Sequence, residues 1–135
     1  MLDKLGQSSI FARMNSRQDP AEQPLERIFR ALSERIRLRI LFLLAEGEMC
    51  VGDIVRALML PQAKVSQHLG YLSRAGLVQM RRSGLWRYYR LANDGSVGPR
   101  LLLPALLQSR SLVPEAAADG QRLLDLKTTG GCCPR

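Results

Sequence analysis

The chain has 135 residues, enough for about one domain with a modest hydrophobic core. Its formal net charge of +8 and pI of about 10.3 favour a polyanionic partner, with nucleic acid ahead of an anionic membrane surface. No apolar run approaches the ~20 residues of a membrane-spanning helix, and residues 1–18 contain no continuous apolar segment typical of a secretory signal. We therefore expect a cytoplasmic protein with no membrane partner, in which the three cysteines are mostly reduced thiols.

Residues 1–24 are mixed and polar, and Pro20 and Pro24 interrupt them. We expect an N-terminal arm that is either loosely ordered or forms a short helix around residues 10–14.

Two helices follow the arm. Residues 25–32 place Leu25, Ile28, Phe29 and Leu32 at i, i+3, i+4 and i+7, which indicates one amphipathic helix. Residues 34–45 are apolar on most sides, so we expect the central core helix there, with Ser33 as its N-cap.

A helix-turn-helix pattern comes next. Residues 48–51 suit a brief edge strand and residues 52–59 a helix, and Leu60 and Pro61 form a tight turn into a helix over residues 61–76. In this last helix Pro61 suits the first turn and Gly76 the end.

The helix over residues 61–76 has two different faces. Val65, Leu69, Leu72 and Ala75 form an apolar stripe, whereas the opposite face is rich in hydrogen-bonding groups and has no acidic residue. Such a face suits base edges and phosphates in a DNA major groove. The predicted DNA contacts on this helix are Gln62, Lys64, Ser66, Gln67 and His68. For His68 we keep a surface histidine, and more remotely a general base, as alternatives.

A basic hairpin follows. Residues 77–82 and 85–91 are rich in β-formers and flank Ser83-Gly84, which predicts two strands with a short turn. We interpret this hairpin as a wing whose Arg81, Arg82 and Arg87 contact phosphates or a minor groove. The alternative is a solvated hairpin. For Trp86, Tyr88 and Tyr89 we favour packing over base contact.

The remainder combines an apolar segment with a polar end. Residues 93–99 suit a loop. Residues 100–109 suit a helix in which Pro104 either introduces a kink or starts a second helix. Its leucines favour a two-fold dimer interface, with plain core packing as the alternative. Residues 110–135 read as a polar tail with at most an isolated helix around residues 115–126.

This order of elements resembles the ArsR/SmtB family of metalloregulatory repressors. The resemblance covers about residues 25–108 and is carried by residues 29–44 (FRALSERIRLRILFLL), 48–58 (EMCVGDIVRAL), 60–78 (LPQAKVSQHLGYLSRAGLV) and 81–91 (RRSGLWRYYRL). It implies a mainly α protein with a small β-hairpin, a homodimeric winged helix-turn-helix. Such a repressor binds double-stranded DNA at an inverted-repeat operator and is released by a metal or metalloid. The dimer would use the helices over residues 25–32 and 100–109.

The resemblance divides the chain into an arm (residues 1–24), a DNA-binding and dimerisation domain (residues 25–109) and a tail with vicinal cysteines (residues 110–135). Arsenic-sensing members typically carry E-L-C-V-C-D-L before the recognition helix. Cys50 matches the first cysteine of that motif, but Gly52 replaces the second, so the standard metal site is broken.

The other thiols are Cys132 and Cys133, which follow two glycines. Trivalent arsenic and antimony favour three sulfur ligands, and thiolates suit soft ions. Our hypothesis is that Cys50, Cys132 and Cys133 bind As(III) or Sb(III) as an inducer, or that Cys132 and Cys133 alone bind a methylated As(III) species. No permanent cofactor is expected. The alternatives are a small buried residue for Cys50 and an incidental tail for the pair.

Four functional classes compete. A thiol-sensing repressor leads, with cadmium, lead, mercury, Cu(I) or thiol oxidation as other signals. A winged-helix regulator without a cysteine effector follows. An enzyme is disfavoured because the sequence offers neither paired carboxylates nor a nucleophile beside a base. A basic protein–protein adaptor comes last.

Overall fold

The computed structural model describes residues 23–131. Within them, six α-helices accompany a three-stranded antiparallel sheet. The helices are α1 (Leu25–Leu32), α2 (Arg35–Leu44), α3 (Val51–Leu58), α4 (Gln62–Arg74), α5 (Val97–Gln108) and α6 (Glu115–Thr128). The strands are β1 (Met49–Cys50), β2 (Val78–Ser83) and β3 (Trp86–Leu91), and a short 3-10 turn over Arg110–Leu112 joins α5 to α6. Most of the predicted N-terminal arm, together with Cys132 and Cys133, lies outside the described residues.

The central helix is α2, as the sequence predicts. Five consecutive residues, from Ile40 to Leu44, are buried, and α2 packs against α1, α3, α4 and α6. The predicted N-cap is wrong by one residue. Glu34 has extended backbone and accepts a hydrogen bond from the Arg37 amide at 2.9 Å. Ser33 instead donates its hydroxyl to the Arg30 carbonyl at 2.8 Å, at the end of α1.

Helices α3 and α4 form the predicted helix-turn-helix. Met59 makes the turn in left-handed backbone (φ 55°), which is uncommon for a residue other than glycine. Pro61 lies just before the helix and its carbonyl accepts from the Lys64 and Val65 amides. Gly76 (φ 76°) ends α4 in a Schellman motif, since the amides of Gly76 and Leu77 bond to Ser73 and Leu72.

The sheet has the order β1-β3-β2, so the hairpin gains β1 as an edge strand. Cys50 of β1 lies opposite Tyr88 of β3, and Ser83 pairs with Trp86 at the end of the hairpin. The turn therefore consists of Gly84 and Leu85, one residue later than predicted. Gly84 takes the positive φ (62°) that this tight turn requires.

The C-terminal part is more helical than predicted. α5 begins at Val97, so the predicted loop over residues 93–99 is too long, and the helix includes Pro104 rather than starting again there. Pro99 lies in the first turn, where no intrahelical N–H bond is lost. α6 is not isolated, because Ala116, Asp119 and Leu123 are buried against α2 and α3. Within the described part of the chain, no helix has the length and apolar character needed to cross a membrane.

Candidate nucleic-acid interface

The two faces of α4 separate as the sequence predicts. Val65, Leu69 and Leu72 are fully buried, so the helix is anchored by its apolar stripe. The polar side chains on the other face are exposed: Gln62, Lys64, Ser66, Gln67 and Arg74. Amide, hydroxyl and ammonium groups are thereby presented to solvent along one side of the helix.

His68 differs from these neighbours because it faces α2. Its side chain is only 14% exposed, and its Nδ1 lies 3.2 Å from Arg37 Nη1 and 3.7 Å from Glu34 Oε2. Arginine can only donate, so Nδ1 accepts this hydrogen bond and the ring proton of the neutral imidazole resides on Nε2. Burial lowers the pKa of His68 below its usual value, and Arg37 and Lys64 act in the same direction against the attraction of Glu34.

Arg37 organises this junction, although no sequence signal separates it from Arg35 or Arg39. Its Nε donates to the Ala31 carbonyl at 2.8 Å and its Nη2 to the Arg30 carbonyl at 3.0 Å. Its guanidinium carbon lies 4.1 Å from the centroid of the Tyr71 ring. One arginine thus caps the end of α1 and contacts α4 through a cation–π interaction.

The predicted wing arginines fall into two groups. Arg82 of β2 lies opposite Arg87 of β3 in the strand register, and both side chains are exposed. They lie near the tip residue Leu85, which is 99% exposed. Arg81 instead forms an ion pair with Glu48 at 2.7 Å and stacks over Tyr88 at 4.3 Å. The hydrogen bond from Arg81 lowers the pKa of Glu48, so this carboxylate stays ionised at neutral pH.

The aromatic side chains of the wing mainly pack, as predicted. Tyr88 and Tyr89 are buried, while Trp86 is 40% exposed. Residues 54–92, which contain α4 and the hairpin, carry seven Lys or Arg and no Asp or Glu. This segment of the sequence therefore carries a net positive charge of the kind that attracts phosphates.

Cys50 is the one predicted thiol ligand within the described residues. It is 2% exposed, precedes α3 at the N-cap position and packs with Tyr88. Cys50 is disulfide-bonded. Over residues 23–131, no group of three or more His, Cys, Asp or Glu side chains is arranged to hold a metal ion.

Comparisons with known proteins agree with this geometry. The family model described as "Bacterial regulatory protein, arsR family" matches residues 34–80, from the cap of α2 into β2. The uncharacterized HTH-type transcriptional regulator MJ1325 of Methanocaldococcus jannaschii is 46% identical over 68 residues, which cover 50% of this chain and 76% of that protein. The chain belongs to the ArsR/SmtB family.

Two further similarities define what family membership implies. The arsenic resistance transcriptional regulator ArsR1 of Pseudomonas putida is 46% identical over 65 residues, 47% of this chain and 51% of that protein. The match thus spans about half the length of ArsR1. The solved structure of HlyU from Vibrio cholerae superposes with a TM-score of 0.55 and 32% identity over 61% of this chain and 86% of HlyU. This ArsR/SmtB member is accordingly a DNA-binding winged helix-turn-helix regulator of transcription rather than an enzyme.

Proposed function

We propose that this ArsR/SmtB protein is a homodimeric repressor that leaves its operator when As(III) or Sb(III) binds cysteine thiolates. The observation that carries the proposal is the position of Cys50, which is disulfide-bonded and directly precedes α3. Cys132 and Cys133, the other cysteines of the sequence, are the further thiolates that we assign to the ligand. The name of the relative ArsR1, an arsenic resistance regulator, supports arsenic as the signal.

For the DNA contacts, we propose that Gln62, Lys64, Ser66 and Gln67 of α4 enter the major groove. Arg82 and Arg87 of the wing contact phosphates, since both are exposed. His68 and Arg81, also predicted as DNA contacts, take a different role in this proposal. Because each is engaged by a neighbouring element, His68 by α2 and Arg81 by Glu48, they position α4 and the wing.

For the dimer, we propose that α1 and α5 form the interface. They are neighbours, because a Cβ atom on Gly98 of α5 would collide with Ile28 of α1. Both also expose large apolar side chains, with Phe29 50% and Leu101 63% exposed. To read an inverted repeat, two-fold pairing of this surface has to place the two α4 helices about 34 Å apart.

For the response, we propose that ligand binding at Cys50 acts on both reading elements. Cys50 begins α3, which leads through the Met59 turn into α4. Cys50 also lies opposite Tyr88, whose ring supports Arg81 of the wing. A shift of β1 therefore changes α3 and the wing together, and a coupling of about 1–3 kcal/mol between inducer and DNA is typical of such a link.

A second candidate signal is thiol oxidation, which the disulfide at Cys50 specifically favours. In this version the reduced protein binds DNA, and formation of the disulfide, with two electrons passing to a peroxide or reactive sulfur species, changes its affinity. Other soft ions, namely Cd(II), Pb(II), Hg(II) and Cu(I), are competing inducers because they share a preference for thiolates.

The test is fluorescence anisotropy of the reduced full chain on its own promoter DNA, titrated with arsenite, methylarsenite, Cd(II) and Zn(II). We expect release by an arsenical. The double variant Cys132→Ser/Cys133→Ser should still bind DNA but no longer release it, and Cys50→Ser tests the third ligand. Methylarsenite remaining active on Cys50→Ser would assign the inducer to the vicinal pair.

Three other outcomes would replace this proposal. Retained release by arsenite in the double variant would contradict it. Release by hydrogen peroxide but by no ion would establish the oxidation candidate. Tight DNA binding that no ion or oxidant alters would indicate a regulator without a cysteine effector.

A further inference from the structure

A basic cavity lies between α1 and the C-terminal half of α4, and its lining includes none of the DNA-contact residues predicted from the sequence. Its volume is about 250 Å³, and it is lined by Arg27, Arg30, Tyr71, Arg74 and Ala75. Three of the five lining residues carry a positive charge and none carries a negative one. We propose that this cavity, hereafter the arginine cavity, is a binding site for a phosphate group.

No ion pair within residues 23–131 compensates the charges of the arginine cavity. Among the described residues, Arg27, Arg30 and Arg74 form no ion pair, whereas Arg35, Arg39 and Arg81 each do. Like charges that share a small space repel one another, and this repulsion is relieved when an anion binds between them. Binding of an anion in the cavity would therefore lower the electrostatic repulsion among these arginines.

The walls of the arginine cavity are held in place. Arg37 stacks on Tyr71 and donates to the Arg30 carbonyl, so it ties together the two helices that carry the cavity. It also adds a fourth positive charge to the surroundings. Ala75, at the base of the cavity, is 3% exposed and belongs to the hydrophobic core. Preformed walls reduce the ordering cost of binding a ligand.

The donor set identifies the chemistry of the ligand. Guanidinium groups present forked N–H donors that match the oxygens of a phosphate, and the Tyr71 hydroxyl is a further donor. The cavity volume of about 250 Å³ leaves room for one phosphate group.

The location of the cavity favours a phosphate of the DNA backbone, a step that rests on the proposed use of α4 as the reading helix. Gln62 and Arg74 are twelve residues apart, about 18 Å along the helix axis. A major groove is about 12 Å wide. If the N-terminal half of α4 reads bases, the cavity at the other end lies beyond the groove, where the sugar–phosphate chain runs. The competing source of the same chemistry is a free phosphate anion.

The test compares the full-length wild type with Arg74→Gln and Arg30→Gln. Lys127→Gln, which removes one exposed positive charge from α6, is the matched control. DNA affinity is measured by anisotropy at 50–300 mM NaCl on promoter and unrelated DNA. We expect the cavity variants to bind both DNAs more weakly by the same factor. The slope of the logarithm of the DNA-binding constant against the logarithm of salt concentration should fall by about 0.9 per protomer. The control should match the wild type.

A second arm measures thermal unfolding without DNA, in sodium phosphate against sodium chloride at equal ionic strength. Stabilisation of the wild type but not of Arg74→Gln by phosphate, with unchanged salt slopes, would support the phosphate site and assign it to the free anion. Variants that match Lys127→Gln in both arms would overturn the proposal. Failure of the wild type to bind any DNA would instead contradict the reading role of α4, and the phosphate arm would still test the cavity. Circular dichroism confirms that each variant is folded.

Discussion

Arg39 of α2 forms a bidentate ion pair with Asp119 of α6, 80 residues later in the chain. Arg39 Nε donates to Asp119 Oδ2 at 2.8 Å and Nη2 donates to Oδ1 at 2.9 Å, and Asp119 is 1% exposed. Arg122 adds a second ion pair at 2.6 Å. Arg39 and Arg122 also donate to the Leu58 and Ala57 carbonyls, at the end of α3. Arg39 of α2 and Arg122 of α6 thus satisfy backbone groups beside the turn that leads into the reading helix.

Replacing Asp119 should destabilise the fold, because two guanidinium groups would lose their counter-charge. Removing one partner of a buried ion pair typically costs about 3–5 kcal/mol. Arg39 and Arg122 are 12% and 32% exposed, so we expect Asp119→Asn to lower the free energy of unfolding by about 3–4 kcal/mol, the lower part of that range. Urea denaturation of the reduced protein measures it.

The matched control for this prediction is Asp125→Asn on the same helix. Asp125 is exposed and accepts one long hydrogen bond from Gln121 at 3.3 Å, so its replacement should change stability by less than about 0.5 kcal/mol. If the two variants were equally stable, α6 would not be held by the Asp119 cluster.

The helices that the sequence predicts well are those whose own apolar residues define the buried face. The stripe of Val65, Leu69 and Leu72 assigns the exposed face of α4 without any tertiary information. α6 is different, since its buried face combines Ala116, Asp119 and Leu123, a pattern too polar to indicate a core helix. Its docking depends on Arg39, a partner that local spacing does not reveal.

In the candidate site, too, local spacing predicts some features, and contacts between distant segments determine the others. Exposure of Gln62 and Gln67 follows from the periodicity of α4, and it is observed. His68 belongs by sequence to the same polar face, yet contacts with Glu34 and Arg37 across 31 or more residues turn it toward α2. Likewise, nothing in the spacing of the wing residues indicates that Glu48 pairs with Arg81. Pairings between distant segments are set by the packed fold.

His68 should make the stability depend on pH near neutrality. Burial lowers its pKa in the folded state below the usual value of 6.5, against the attraction of Glu34 and with added repulsion from Arg37 and Lys64. As the pH falls below about 6.5, His68 binds a proton in the unfolded chain but stays neutral in the folded chain. The free energy of unfolding therefore decreases. The loss continues until the pH passes the lowered pKa.

Urea denaturation of wild type and His68→Gln at pH 7.5 and 5.5 tests whether the free energy of unfolding falls as the pH is lowered. His68 is the sole histidine of the sequence, so no other imidazole contributes in this window. We expect the wild type to lose stability between the two values and the variant to lose less. An equal loss in both proteins would show that His68 is not buried in the neutral form.

Glu48 should restrain DNA binding by occupying Arg81. Its carboxylate lies 2.7 Å from the arginine, so the pair presents little net charge to a phosphate. Glu48→Gln removes the negative charge and leaves Arg81 available. We expect tighter DNA binding and a salt slope steeper by up to about 0.9 per protomer.

The comparison for Glu48→Gln is Glu46→Gln, measured by anisotropy over the same salt series. Glu46 pairs with Arg110 at 3.6 Å, on the side of α6 rather than of the wing. The variant Glu46→Gln should therefore leave the salt slope of DNA binding unchanged. Weaker binding by Glu48→Gln than by Glu46→Gln would mean that the Glu48–Arg81 pair positions the wing, and that its geometry outweighs its charge.

Gln67 and Arg87 should differ in the kind of DNA binding that they support. Gln67 is exposed on the face of α4 proposed to enter the major groove, where an amide reads base edges and contributes about 1–3 kcal/mol of discrimination. Arg87 is exposed on the wing and carries a charge suited to a phosphate. We expect Gln67→Ala to relax base preference with an unchanged salt slope. Arg87→Ala should weaken promoter and unrelated DNA alike and reduce the slope by about 0.9 per protomer.

Anisotropy on the promoter sequence, on singly substituted promoter duplexes and on unrelated DNA separates the two roles. Ser73→Ala is the control, because Ser73 is exposed near the far end of α4, away from the N-terminal turns assigned to bases. If Arg87→Ala altered the preference among substituted duplexes but kept the wild-type slope, the wing would read sequence, and the division between a reading helix and a phosphate-binding wing would be wrong.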